Sequence, residues 1–108
     1  MKTDITLVQG FQSGNFDDFG LLYERYLEKI FVYIFRKVGN REQAEDICSQ
    51  VWIKAMRDIM KTQKDEDFLF KAWIYRIAHN MIVDYFRTKK EIITNDILET
   101  HAIDTDIA

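Results

Sequence analysis

One stripe of residues in the last third of the sequence carries side chains that can recognise nucleic acids. Spacings of three and four residues place its members on one helical face: Trp73, Arg76, Asn80, Asp84 and Arg87. Arginine can bind phosphates and stack on planar groups, asparagine can hydrogen-bond to base edges, and tryptophan can stack on an unpaired base. The stripe therefore indicates a nucleic-acid surface, although a solvated helix face with an Asp84–Arg87 ion pair has the same pattern.

An exposed face on the preceding helical segment indicates a protein contact instead. Ile53 lies nearly opposite the apolar stripe of that segment, where a solvated helix would carry a charge. Its neighbours on this face are polar: Glu42, Asp46, Ser49, Gln50 and Arg57. An apolar residue surrounded by polar ones is typical of the centre of a protein interface. A single exposed isoleucine is also common on monomers, so this face alone leaves both interpretations open.

Residues for covalent, acid–base or metal chemistry do not form a recognisable set. The two histidines, His79 and His101, and the single cysteine, Cys48, lie in different segments without the spacing of a zinc site. Neither a glycine-rich phosphate loop nor a nucleophile elbow occurs. The adjacent carboxylates Glu45 and Asp46 have no partner that suggests acid–base catalysis. We therefore expect no enzymatic activity, no metal and no cofactor.

Composition narrows the class of protein further. The chain has 108 residues, of which 47% are hydrophobic and 14% aromatic, and this is too apolar for a disordered chain. One cysteine cannot form an internal disulfide, and no run reaches the ~18 apolar residues that a membrane helix requires. The N-terminus lacks the apolar stretch of a signal peptide. These features predict a single cytoplasmic domain without a membrane span.

The formal net charge of −3 conceals an uneven distribution along the chain. The chain as a whole lacks the surplus of basic residues that is usual for nucleic-acid binders. Residues 71–90, however, contain five basic side chains and one acidic side chain, whereas residues 91–108 contain five acidic side chains and no Lys or Arg. The last predicted helix is therefore locally basic, and we expect the acidic segment to be a solvated, flexible end.

Four helices must position the two polar faces. Apolar periodicity predicts them over residues 4–13, from about 15 to 38, from about 41 to 60, and from about 68 to 89, with a polar loop at 61–67. Asn15 is the expected N-cap of the second helix, and Gly39 is a stop signal after it. No convincing strand occurs, so the predicted fold is all-α, a compact bundle of about four helices.

The predicted core lies on the apolar faces of these helices. The second helix is apolar over a wide arc, as expected for a helix packed on two sides. The third has a clean stripe formed by Ala44, Ile47, Cys48, Val51, Trp52, Ala55 and Ile59. The last helix directs inward Phe70, Ile74, Ile77, Ala78, Met81 and Tyr85.

Three motifs in this order resemble region 2 of bacterial sigma factors of the sigma-70 family, most closely the extracytoplasmic-function (ECF) group. They are Phe19–Tyr26, Ala44–Ile53, and Phe70–Asn80 continuing to Asp84–Arg87. The resemblance covers residues 3 to about 90 and implies a small helical domain. It divides the chain into a region 2 domain at 1–90 and an acidic tail at 91–108 that resembles the start of an interdomain linker.

The resemblance implies that the outer face of the third helix docks on the clamp helices of the RNA polymerase β′ subunit. The residues implied are Glu42, Asp46, Ser49, Gln50, Ile53 and Arg57. The family often has Asp-Leu-x-Gln-Glu where this chain has Asp46-Ile-Cys-Ser49-Gln50, which shortens one side chain and removes one charge. An anti-sigma factor is a further partner that the resemblance suggests.

The resemblance also implies recognition and melting of the minus-ten promoter element. A base of the non-template strand leaves the stack, at a cost of a few kcal/mol, and enters a pocket formed by the loop and Asn80. Residues 62–68 then form the capturing loop. The implied DNA-binding residues are Thr62, Gln63, Lys64, Phe68, Lys71, Trp73, Arg76, Asn80, Arg87, Lys89 and Lys90.

Two alternatives remain from the residues themselves. The first is a helical protein-interaction module without DNA recognition, such as a polymerase decoy or an anti-sigma-binding domain. The second is a repressor that binds duplex DNA, against which the missing basic surplus weighs. ECF sigma factors also carry region 4, a helix-turn-helix domain, to which nothing here corresponds. We therefore expect the chain to be one domain of a longer protein.

Overall fold

The computed structural model describes residues 1–61 and 63–107, with side chains as far as Glu99. Within these residues the chain forms four helices and no strand, and the all-α prediction is confirmed. The helices are α1 (Asp4–Gln12), α2 (Asp17–Val38), α3 (Arg41–Asp58) and α4 (Phe70–Ile107). Helix α2 packs against each of the other three, which explains its wide apolar arc.

Capping residues account for three of the helix boundaries in the described part of the chain. The side chain of Thr3 accepts a hydrogen bond from the backbone N–H of Thr6 at the start of α1, and that of Asn40 accepts one from Gln43 at the start of α3. Gly39 ends α2 with a φ of 76°, a left-handed conformation that glycine adopts without a steric cost. The Asn15 cap prediction is wrong by one residue, because Phe16 occupies the N-cap position without a side-chain hydrogen bond.

Helix α4 differs most from the sequence prediction. It begins at Phe70 instead of Phe68, and it continues to Ile107 instead of ending near Lys89. The predicted end followed the apolar stripe, which stops where α4 leaves the bundle. Residues 90–107 contain neither glycine nor proline, so nothing in their sequence interrupts the helical hydrogen bonds. The acidic segment is therefore helical as far as Ile107, and its side chains from 91 to 99 are exposed.

The core follows the predicted stripes with few exceptions. All seven residues of the predicted third-helix stripe are buried, six in α3 and Ile59 at its C-cap, and so are Phe70, Ile74, Ile77 and Ala78 of α4. Met81 and Tyr85 were expected inside but are only half-buried, while Ile82 is buried in their place. Cys48 is buried as predicted, and this burial raises the pKa of its thiol.

A polar cluster joins the beginning of α1 to the middle of α2. The carboxylate of Asp4 accepts hydrogen bonds from the guanidinium of Arg25 and from the hydroxyl of Tyr26. Burial and the hydrogen bond to Asp4 raise the pKa of Tyr26 from 10.0 to about 12. The cluster holds α1 across the bundle, with Leu7, Val8 and Phe11 in the core.

Candidate protein and nucleic-acid interfaces

The six predicted protein-contact residues share one exposed face of α3. Ile53 is 60% exposed at its centre, although it is a large apolar side chain. The polar members, all exposed, are Glu42, Asp46, Ser49, Gln50 and Arg57. The structure therefore brings the whole predicted set together on a single surface.

Ile53 also lies between two apolar grooves, which sequence periodicity did not reveal. A groove of about 800 Å³ runs between α2 and α3, with Leu27, Phe31 and Trp52 among its lining residues. A second groove borders Ile53 and is lined by apolar residues of α1, α2 and the segment between them, including Phe16, which is 68% exposed. Ile53 is thus part of a continuous apolar surface. Such a surface indicates a binding partner more strongly than a single exposed apolar side chain does.

Arg57, at the C-terminal end of this face, belongs to a cluster of charges around Asp58. Its Nε lies 3.4 Å from Asp58 Oδ1, and the ammonium groups of Lys54 and Lys61 lie 2.9 and 3.1 Å from the same carboxylate. Lys54 and Lys61 hold the pKa of Asp58 well below its usual range. Three cations share one carboxylate, so this end of α3 carries a net positive charge next to the loop.

The predicted nucleic-acid stripe forms the outer face of α4. Arg76, Asn80 and Arg87 are exposed, and Trp73 is half-buried at the edge of the core. At 1.5 Å per residue the stripe from Trp73 to Arg87 is about 21 Å long. The predicted ion pair is present, with Arg87 Nη2 3.0 Å from Asp84 Oδ1. Both partners of this pair are exposed, so it competes only weakly with a phosphate for the arginine.

Two of the predicted DNA-binding lysines lie on the other side of α4. Lys71 and Lys89 are each nine residues from Asn80, which places them about 180° from it around the helix. Lys71 lines a cavity beside the N-terminus of α1, and Lys89 lines a groove with Asp46 and Gln50 of α3. Lys90 is exposed, about 60° from Arg87 around the helix. The structure therefore places neither Lys71 nor Lys89 on the stripe, although Lys71 shares its cavity with Phe68 of the loop.

The loop between α3 and α4 places a cation against two aromatic rings. Lys64 Nζ lies 5.0 Å from the ring centroid of Phe68 and 6.0 Å from that of Trp73. The two ring centroids are 5.7 Å apart, and the rings meet edge to face. Gln63, which precedes Lys64 in the sequence, is exposed, whereas Thr62 lies outside the described residues. The loop and the stripe thus meet at Trp73, where planar and cationic groups form a continuous surface.

Two glutamines of α1, which the sequence did not single out, contact this loop. The amide of Gln9 donates to the carbonyl of Lys64, and the amide of Gln12 both donates to the carbonyl of Ile59 and accepts from the N–H of Lys64. The available signal was two amide side chains three residues apart in the second half of a short helix. That signal does not identify a partner 47 to 55 residues away.

In the part of the chain with described side chains, no group of histidine, cysteine and carboxylate residues could hold a metal ion. None of the described helices is apolar over the length that crossing a bilayer requires.

Comparison with known proteins identifies the family. A family model described as Sigma-70 region 2 matches residues 22–92. The ECF RNA polymerase sigma factor BldN of Streptomyces coelicolor is 33% identical over 102 residues, which is 91% of this chain and 38% of that protein. The ECF RNA polymerase sigma factor SigW of Bacillus subtilis is 35% identical over 79 residues, which is 73% of this chain and 41% of that protein.

A solved structure is similar in fold as well as in sequence. It is the NMR structure of an engineered region 2 of sigmaE in complex with GTAAAA, with a TM-score of 0.71 and 31% identity. The match covers 82% of this chain and 90% of that chain. The chain spans about two fifths of the length of the curated relatives BldN and SigW. Because the region 2 model matches more than half of its residues, the chain belongs to the sigma-70 region 2 family and is similar to its ECF members.

Proposed function

We propose that this domain acts in bacterial transcription initiation. It docks on the clamp helices of the RNA polymerase β′ subunit and recognises and melts the minus-ten promoter element. The observation that carries this proposal is the meeting of the Lys64–Phe68–Trp73 cluster with the Asn80 stripe, on a bundle whose neighbouring helix α3 presents Ile53. One rigid domain thus offers separate surfaces for a protein and for a single strand.

Polymerase docking is supported by the shape and chemistry of the α3 face. Ile53 and the grooves on its two sides offer an apolar centre, and Asp46 and Gln50 offer a polar rim next to it. Interface centres of this kind carry most of the binding free energy because they exclude water when occupied. A helix of a coiled coil can place its apolar side chains in such grooves. Ser49 and Gln50 provide neutral contacts where relatives often provide a longer side chain and a charge.

Base capture is supported by the junction of the loop and α4. An extruded base can stack on the aromatic surface formed by Phe68 and Trp73, while the exposed amide of Asn80 hydrogen-bonds to a base edge. Arg76 and Arg87 hold phosphates on both sides of Asn80 along the helix. Lys90 can extend this path, whereas Lys71 and Lys89 lie too far around α4 to join it.

Charge is consistent with a domain whose DNA affinity depends on polymerase. Phosphate contacts supply most non-specific affinity, and the net charge of −3 leaves this chain with a weak contribution of that kind. Docking on polymerase raises the effective concentration of the α4 stripe near promoter DNA.

We assign residues 1–90 to the region 2 domain and treat residues 91–108 as the start of a linker. We expect the protein in the cytoplasm.

Two binding measurements test the proposal. The 108-residue chain is expected to bind a fragment that contains the β′ clamp helices. In complex with core polymerase it is expected to bind a single-stranded non-template minus-ten oligonucleotide more tightly than a scrambled one. Clamp binding without any sequence preference favours the protein-interaction module, and stable binding to duplex DNA without polymerase favours the repressor. Either result would overturn the proposed role in promoter melting.

A further inference from the structure

Helix α1 holds the α3–α4 loop at two points through one side chain. Gln12 Nε2 donates to the carbonyl oxygen of Ile59 at 2.6 Å, and Gln12 Oε1 accepts from the backbone N–H of Lys64 at 3.2 Å. Ile59 is fully buried, and Lys64 lies on the far side of the turn that leaves α3. The side chain of Gln12 therefore sets the distance between the start of the loop and Lys64.

A second α1 side chain completes the attachment of Lys64. Gln9 Nε2 donates to the Lys64 carbonyl oxygen at 3.2 Å, so both backbone polar groups of Lys64 are bonded to α1. These contacts fix the backbone from which the Lys64 ammonium extends over Phe68 and Trp73. The position of the cation on the aromatic rings is consequently set by a helix that itself carries none of the proposed DNA contacts.

Helix α1 is rigid enough to act in this way. Leu7, Val8 and Phe11, on its other side, are at most 5% exposed, and Asp4 is bonded to Arg25 and Tyr26 of α2. A loop attached to such a helix has fewer accessible shapes than a free one, and a site with a single shape discriminates better among ligands.

We propose that Gln12 is a positioning residue for base recognition. It holds the loop in the one shape in which Lys64, Phe68 and Trp73 form a wall of the base site, so α1 sets base selectivity without touching DNA. This inference rests on the proposed function, because it assumes that the loop receives an extruded base. It adds that residues of α1 belong to the determinants of promoter choice.

The test compares substitutions that remove the contacts of Gln12 in different combinations. Gln12→Met removes both hydrogen bonds at nearly constant side-chain volume. Gln12→Glu keeps an oxygen that accepts from the Lys64 N–H, but it puts a carboxylate oxygen in place of the N–H group that donates to the Ile59 carbonyl. Gln9→Met removes only the bond to the Lys64 carbonyl. Gln43→Met is the matched control, since Gln43 is exposed on α3 about 24 Å along the helix from Ile59.

The first measurement is base selectivity in the complex with core polymerase. Each variant is titrated with four non-template minus-ten oligonucleotides that differ at one position, and the four-oligonucleotide set is repeated for each position of the element. We expect the ratio of the highest to the lowest affinity at the captured position to fall at least fivefold in Gln12→Met and less in Gln9→Met. The ratio stays unchanged in Gln43→Met. The lowest affinity in each set changes less than twofold, because the phosphate contacts on α4 remain.

The second measurement follows the loop in the free protein. We expect amide hydrogen exchange at Lys64 to accelerate at least tenfold in Gln12→Met and to remain slow in Gln12→Glu, with the Trp73 indole NMR signal shifted only in the former. The inference is overturned, and the proposed function stands, if the parent discriminates among bases and Gln12→Met keeps the same affinity ratio as the parent. This conclusion requires that hydrogen exchange at the Lys64 amide is faster in Gln12→Met, which shows that the bond is lost. If the parent shows no discrimination, the proposed function fails and the inference fails with it. Should Gln12→Met not fold, Gln9→Met decides the question: a lowered ratio supports the inference, and a full ratio without the bond to the Lys64 carbonyl overturns it.

Discussion

The carboxylate of Asp18 lies directly against the α-carbon of Gly10, at the point where α2 begins beside the end of α1. A β-carbon at Gly10 would overlap Asp18 Oδ2 and lie 3.1 Å from Cγ. Asp18 is 4% exposed, and its nearest cation is the ammonium of Lys2, 3.6 Å from Oδ1. The two helices therefore approach each other through a buried charge that only glycine accommodates. This contact supports α1 and, through α1, the loop that α1 holds.

We predict that Gly10→Ala destabilises the domain by about 1–3 kcal/mol, because the new methyl group displaces a buried carboxylate. A glycine-to-alanine change inside a helix normally stabilises it by up to about 1 kcal/mol. Gly20→Ala is the matched control, since a β-carbon at Gly20 meets no atom within 4 Å. Denaturant unfolding of both variants measures the effect. Equal stabilisation by the two substitutions would contradict the close packing described for Gly10.

We predict that Ile53→Asp weakens binding to the β′ clamp helices by at least 2 kcal/mol, or about 30-fold, because a charge replaces the apolar centre of the proposed interface. Folding should be unaffected, since the side chain is 60% exposed. Ile97→Asp introduces the same charge at an isoleucine of α4 that is 52% exposed and should bind like the parent. Titration of a clamp-helix fragment by calorimetry gives both affinities. Parent-like binding by Ile53→Asp would show that the partner uses another face.

Replacement of Asn80 by alanine should remove base preference at one position of the minus-ten element. A pair of hydrogen bonds from an amide to a base edge contributes about 1–3 kcal/mol of discrimination. We therefore expect the preference to fall by roughly 5- to 150-fold, with little change in affinity for the disfavoured bases. His79→Ala, at the adjacent exposed position, serves as the control. Competition between oligonucleotides in the presence of core polymerase is the measurement, and an unchanged preference in Asn80→Ala would remove the reading role from this residue.

Salt dependence can separate the α4 stripe from the lysines on the other side of the helix. Each phosphate contact to a single strand contributes about 0.7 to the slope of log affinity against log salt concentration. We predict that Arg76→Gln together with Arg87→Gln lowers this slope by about 1.4. Lys71→Gln should leave the slope unchanged, because Lys71 lies about 180° from Asn80. A smaller slope in Lys71→Gln would show that DNA follows a different path across the domain.

Stability in alkali should depend on Tyr26. Its pKa in the folded protein, about 12, exceeds the ordinary value of 10.0, so the folded state retains a proton that the unfolded chain loses. The resulting stabilisation, about 3 kcal/mol for two pKa units, is complete below pH 10 and is lost as the pH rises through 12. Tyr26→Phe removes this component and the hydrogen bond to Asp4. We expect the parent to be more stable than the variant at pH 7, and this difference in unfolding free energy to shrink by about 2 kcal/mol between pH 9 and pH 12. A constant difference across this range would contradict the assignment.

Much of the architecture was predictable because it depends on local patterns. The core stripe of α3, the glycine that ends α2 and the exposure of Ile53 all follow from periodicity and backbone preference within one helix. The end of α4 was not predictable from the apolar stripe. An apolar stripe records contact with the bundle, whereas a helix continues wherever its backbone is not interrupted.

The sequence by itself determined the four helices, the polar faces of α3 and α4, and, through its motifs, the resemblance to sigma factor region 2. Only the tertiary structure decided which of these side chains meet. It placed Lys71 and Lys89 away from Asn80, surrounded Ile53 with grooves from other helices, and attached Lys64 to Gln9 and Gln12. The reason is that periodicity reports the orientation of a residue on its own helix. A hydrogen bond across 47 to 55 residues depends instead on how the helices pack, and no local pattern contains that information.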